Sequence, residues 1–171
     1  WRKKNLYGAW RKVKANREIA GTDGITIEKY GENLEENIEG LRLLLKEGKY
    51  KPSPLKRIWV AAGSRKRRPL GIPTVKDRIV QQALLRVLTP ISEKIFLDCS
   101  YGFRPERSCH QALSKVEEYL RQEYQWIADV NIKNCFNSIN QKFLVDMVAE
   151  EVVDGRVLKL IQKMLKGGVR Q

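Results

Sequence analysis

Apolar residues recur along this chain at two different spacings, and the spacing assigns the elements. Leu6, Ala9, Trp10 and Val13 stand at i, i+3, i+4 and i+7, which predicts an amphipathic helix over the first turns. Leu34, Ile38, Leu41 and Leu45 mark a second helix, with Gly48 as its C-cap. Ile58-Trp59-Val60 has strand character instead. With Arg67 to Ile72 as the second strand and Gly63-Ser64 to turn the chain, it predicts a hairpin. Pro52 and Pro54 exclude helix just before it, and Pro73 stops the pairing. From Thr74 or Asp77 a long helix follows, with Ile79, Ala83, Val87, Ile91 and Ile95 as its buried stripe and a bend or break at Pro90.

The second half reads with the same two rules. Ser108 caps a helix packed through Ala112, Val116 and Tyr119. Trp126 to Ile132 is the strand candidate there. Phe143, Met147 and Val148 belong to one further helix, and Val157, Leu160, Ile161 and Met164 to another. Gly21-Thr22-Asp23-Gly24 is a turn. Helices, a hairpin, more helices, a strand and two helices make an α+β fold, mostly helical, and not an alternating parallel sheet.

Composition narrows the partners. At 171 residues and 42% apolar content the chain can bury roughly two thirds of its unfolded surface. Its 33 Lys and Arg against 20 acidic residues leave a formal charge of +13, which favours a polyanion, nucleic acid before an anionic membrane. No apolar run approaches the roughly 18 residues of a spanning helix, and no signal-peptide pattern is present, so an intracellular protein is expected. Cys99, Cys109 and Cys135 have no paired spacing and read as reduced, partly buried thiols. His110 is the sole histidine, which excludes a histidine metal cluster. Beginning at Trp1 and stopping at Gln171, the chain reads as a piece of a longer protein.

The charge is not spread evenly. Arg2, Lys3, Lys4, Arg11, Lys12, Lys14 and Arg17 line the first helix with Glu18 as the only acid, whereas a merely solvated face mixes signs. Glu32, Glu35, Glu36 and Glu39 make the second helix acidic, so it should face away from phosphates. Around the hairpin, Lys46, Lys49, Lys51, Lys56, Arg57, Arg65, Lys66, Arg67 and Arg68 meet only Glu47.

Several strings are too specific for composition: Ala20-Gly21-Thr22-Asp23-Gly24, Tyr50-Lys51-Pro52-Ser53-Pro54, Arg68-Pro69-Leu70-Gly71-Ile72-Pro73 with Asp77-Arg78, and Ser100-Tyr101-Gly102-Phe103-Arg104-Pro105. In this order they resemble the reverse transcriptases encoded inside group II introns. The resemblance implies an N-terminal extension and fingers over 1–125, with palm helices interleaved, and the start of the palm over 126–171. It also implies a bacterial cytoplasmic or organellar setting. The segment from Asp129 to Ile139 is similar to the family's Asp-Ile-Lys-x-x-Phe-Asp-x-Ile element, whose first Asp ligates two magnesium ions while the next carbonyl assists and a side chain four residues on senses the sugar. Those positions are Asn131, Ile132 and Cys135.

An amide there is neutral and offers a donor where a cation should sit, so no metal is expected with Asn131. Asp129 shares its strand face about 6 to 7 Å away and is at most a weak ligand. The family's Tyr-x-Asp-Asp hairpin is absent from this segment. The family's Ile-Pro-Lys stands here as Val60-Ala61-Ala62, which leaves Arg68 to meet the incoming triphosphate. The resemblance makes Tyr101 to Pro105 the loop supporting the template and nucleotide pocket, with a packing turn as the alternative. Lys3, Lys4, Arg11, Lys12, Lys14, Lys56, Arg57, Arg65, Lys66, Arg67, Arg104 and Arg107 are the expected RNA contacts. Trp10, Trp59 and Trp126 are candidates to stack on bases, with core packing the better reading for Trp126 and Trp10. Three readings follow: an inactive polymerase fragment on RNA or an RNA/DNA hybrid, an RNA-binding maturase that assists splicing without polymerisation, or a non-specific basic module. Dimerisation stays open.

Overall fold

Two compact units share the chain: residues 1–88 with 140–171 form the first, and residues 89–139 the second. The computed structural model describes residues 1–16, 19–61 and 67–170, so Arg17, Glu18, Ala62, the Gly63-Ser64 turn, Arg65 and Lys66 lie outside the described residues.

In the first unit, α1 (Lys3–Ala15) buries Leu6, Ala9, Trp10 and Val13, the stripe its spacing predicts. A short helix, α2 (Ile27–Glu32), precedes α3 (Leu34–Lys46) and was not legible as a separate element. Asn33 separates them with a non-helical backbone. Thr26 caps α2 by accepting from the Lys29 N–H. Ile38, Leu41 and Leu45 of α3 are buried against α1. Trp10 and Tyr30 lie with ring centroids 5.5 Å apart, and burial pushes the Tyr30 hydroxyl up to about 12. Gly48 ends α3 at φ +68°, with Lys49 N–H bonded to Leu44 O and Gly48 N–H to Leu45 O, a Schellman arrangement.

The predicted hairpin forms: β1 (Leu55–Ala61) pairs antiparallel with β2 (Arg67–Ile72), Lys56 opposite Ile72 and Ala61 opposite Arg67. A two-residue strand, β3 (Val169–Arg170), pairs parallel with β1, giving the order β2-β1-β3. No periodicity announces so short a strand. α4 (Val75–Ser92) buries Val75, Ile79, Val80, Ala83 and Leu84. It runs two residues past Pro90, which therefore does not divide it. Val87 and Ile95 of its predicted stripe are exposed, Ile95 lying beyond the helix end. α7 (Gln141–Glu151) and α8 (Gly155–Leu165) complete the unit, with Val145, Val152 and Leu160 buried. Phe143 and Met147 lie in α7, as their spacing predicts, and are 65% and 51% exposed.

The second unit holds α5 (Cys109–Arg121) and α6 (Cys135–Ser138), and none of its residues is buried. Ser108 caps α5 through a complete capping box with Gln111. The apolar face does not pack as expected: Val116 and Tyr119 are 44% and 48% exposed. The strand expected at Trp126–Ile132 is absent. A strand needs a ladder partner, no described strand runs beside this segment, and Trp126, Ile127, Val130 and Ile132 are all exposed. Cys99 and Cys109 are exposed and only Cys135 is half-buried, which corrects the expectation of partly buried thiols.

Candidate nucleic-acid interface

Pairing register divides the hairpin side chains between two faces. Arg57, Trp59 and Ala61 stand opposite Gly71, Pro69 and Arg67 and share one face; Lys56, Ile58 and Val60 share the other with Ile72, Leu70 and Arg68. The second face packs inward through buried Ile72 and half-buried Ile58 and Val60. The first turns outward, with the Trp59 indole 58% exposed and Arg57 and Arg67 exposed on its side. Arg68, the expected triphosphate contact, is exposed on the other face, beside Val60.

The base of this hairpin is fixed by a buried polar node built on Asp77. Asp77 is 3% exposed and accepts from the Tyr50 hydroxyl, from the Ser53 N–H at 3.0 Å and from the Thr74 hydroxyl at 2.7 Å. Thr74 in turn accepts from the Asp77 N–H at 3.2 Å and so caps α4. Burial, then the neighbouring Asp77 carboxylate, raises the Tyr50 hydroxyl well above its ordinary range. Arg78, 6% exposed, donates to the Ile19 carbonyl at 2.6 Å. Thr22 donates to the Pro54 carbonyl at 3.0 Å, and a Cβ on Gly21 would stand 2.7 Å from Thr74 backbone. Three of the quoted strings therefore meet in one place, where they hold strand ends together. The Thr-x-x-Asp spacing of 74 and 77 was the available signal.

On α1, Lys4, Arg11, Lys12 and Lys14 are exposed, and none makes an ion pair with a described residue. Lys3 differs: its ammonium lies 2.9 Å from Glu39 of the acidic helix. Hydrogen bonds from Arg42 and then Lys3 hold the Glu39 carboxyl down to about 2.

In the second unit Arg104 is spent internally. Its side chain is 6% exposed, pairs with Glu93 at 3.0 Å, donates to the Leu97 and Ser100 carbonyls and lies over the Phe96 ring at 5.3 Å. Arg107 pairs with Asp98 at 3.1 Å and lies over Tyr101. Asn131 and Ile132 are exposed in an irregular segment, and Cys135 opens α6 after Asn134, whose φ is +52°. Among the described residues no three His, Cys, Asp or Glu side chains come together to hold a metal ion. Asp129 is the single carboxylate near Asn131 in the chain, so the residues present do not fit a magnesium pair.

The model of the family described as reverse transcriptase (RNA-dependent DNA polymerase) matches residues 51–171. This chain belongs to the reverse transcriptase family. Its likeness is to the group II intron-encoded members. It is 37% identical over 95% of its length to the group II intron-encoded protein LtrA of Lactococcus lactis, and 35% identical over 86% to protein YkfC of Escherichia coli. It covers 27% of the former and 40% of the latter. The mitochondrial nuclear intron maturase 2 of Arabidopsis thaliana is 31% identical over 53% of the chain, which covers 12% of it. No described helix of this reverse transcriptase domain is long and apolar enough to cross a membrane.

Proposed function

We propose that this reverse transcriptase segment is an RNA-gripping part of a group II intron protein, and that as it stands it binds RNA without copying it. The outward face of the hairpin carries the reading: an exposed indole, Trp59, stands between Arg57 and Arg67. Stacking on an aromatic ring contributes about 1–3 kcal/mol per base whatever the base, while the guanidinium groups meet phosphates. The row Lys4, Arg11, Lys12 and Lys14 on α1 adds a second positive surface, and the +13 charge supplies the long-range attraction. Lys56 and Arg107 take supporting contacts, to RNA alone or paired with DNA. Arg104 holds its loop in place for them.

Copying fails in this proposal because Asn131 supplies no negative charge for divalent ions. Binding does not need that charge. The match to a protein named an intron maturase favours a second reading, in which the grip on intron RNA serves splicing.

Binding of the chain to group II intron RNA and to a scrambled RNA, measured across salt concentrations, tests both. The proposal expects log affinity to fall steeply with log salt, by about 0.7 per phosphate contact on single strands. Arg57→Gln with Arg67→Gln should flatten the slope, while Trp59→Ala should weaken binding and leave the slope unchanged. A salt-independent affinity overturns the proposal. Equal affinity for both RNAs leaves only a non-specific module, and DNA synthesis by the unaltered chain overturns the loss of copying.

A further inference from the structure

A recess of about 490 Å³ in the first unit lies between the last turn of α3 and one face of α8. Its floor is apolar, from buried Leu45, Tyr50 and Leu160. Its walls are cationic: Lys46, Arg156, Lys159, Lys163 and Lys166 line it against a single carboxylate, Glu47. Glu47 is already paired with Lys49 at 2.8 Å.

The bases on α8 and its C-cap recur at spacings of three, four and three, which sets them in one row along the helix. Two of them have structural duties. Lys163 donates to the Gly48 and Tyr50 carbonyls at 2.8 and 3.1 Å, tying α8 to the end of α3, and Arg156 pairs with Asp154 at 2.8 Å. Lys46, Lys159 and Lys166 make no ion pair with a described residue. The helix ends favour a cation at Lys46 and at Lys166, but nothing comparable supports Lys159, and the three ammonium groups around one recess repel one another with no described carboxylate paired to them.

The geometry points to a second RNA contact here, with successive phosphates of a strand held along the α8 row. From 156 to 166 the row extends about 15 Å at 1.5 Å per residue, more than one phosphate requires and suited to several in sequence. This site rests on the RNA-binding reading above, but uses none of the residues of the hairpin or of α1.

The test measures RNA affinity against salt for the unaltered chain, for Lys46→Gln with Lys159→Gln and Lys166→Gln, and for Arg57→Gln with Arg67→Gln. The side chains of the three lysines make no hydrogen bond with a described residue, so circular dichroism should be unchanged. Losing three phosphate contacts should lower the salt slope by about 2 and the affinity by roughly ten-fold, in addition to the hairpin effect. Bound RNA should also protect Lys159 and Lys166 from acylation. Unchanged slope and affinity in the triple variant, with a weakened hairpin variant, overturns this site and leaves RNA binding standing. An unaltered chain that binds no RNA overturns both. Protection of the lysines by a nucleoside triphosphate as effective as that by an RNA strand overturns the strand contact in favour of a small ligand.

Discussion

Residues 1–88 with 140–171 and residues 89–139 both carry amphipathic helices, yet only the first unit buries what they offer. Ile38 of α3 is fully buried, while Leu113 on the apolar side of α5 is 60% exposed. Periodicity specifies a face; burial also requires an opposing surface. The polar parts differ as well. The first unit places Asp77 in a buried node with three partners from two segments, whereas the second ties Arg104 and Arg107 to carboxylates within a dozen residues of chain.

Substitutions should sharpen this contrast. Asp77→Ala leaves the Tyr50 and Thr74 hydroxyls and the Ser53 N–H without their acceptor, at about 1–3 kcal/mol for each group that stays dry, and should destabilise the first unit by about 4 kcal/mol in urea unfolding. A loss below about 1 kcal/mol would show that water replaces the carboxylate. Ile38→Ala should cost about 3 kcal/mol and Leu113→Ala under about 0.5. Equal losses would erase the difference between the units.

Smaller effects probe local order. Ser108→Ala removes the cap of α5 and should cost about 1 kcal/mol of helix stability, visible as lost helical dichroism because no core holds α5 in place. Least of all should be Glu39. Its carboxyl falls from an ordinary 4.5 to about 2 in the folded chain, so its stabilising effect is present above 4.5 and disappears as pH drops towards 2. The gap in urea midpoint between the unaltered chain and Glu39→Gln should therefore close on acidification through that window. A gap that persists at pH 2 would assign the effect to packing.

Local signals proved readable where they were self-contained. The α1 stripe, the Gly48 ending, the hairpin strands and the Ser108 cap each follow from a few neighbouring residues. The α2 helix escaped because six residues carry too few apolar positions to set a period, and β3 because two residues carry none. The strand expected at Trp126–Ile132 is the instructive failure: its β-rich composition was real, but strand formation depends on a neighbour that the described residues do not provide. The site divides likewise. Family resemblance singled out Asn131 and Arg68 by position, while the exposure of Trp59 between two arginines needed the register. Asp77 and Arg78 stood out as a motif, but their work as braces was invisible until Tyr50, Ser53 and Ile19 were located.

The Gly168 carbonyl accepts the Leu55 N–H at 2.9 Å, which returns the far end of the chain to its first strand. Everything from residue 89 to 139 is thereby an excursion out of, and back into, a body already begun. Closing a longer detour adds only about 0.6 kcal/mol for each doubling of its length. A change in the length of the excursion therefore costs the first unit little in closure entropy, so long as its two ends still deliver residues 140–170 to the same place.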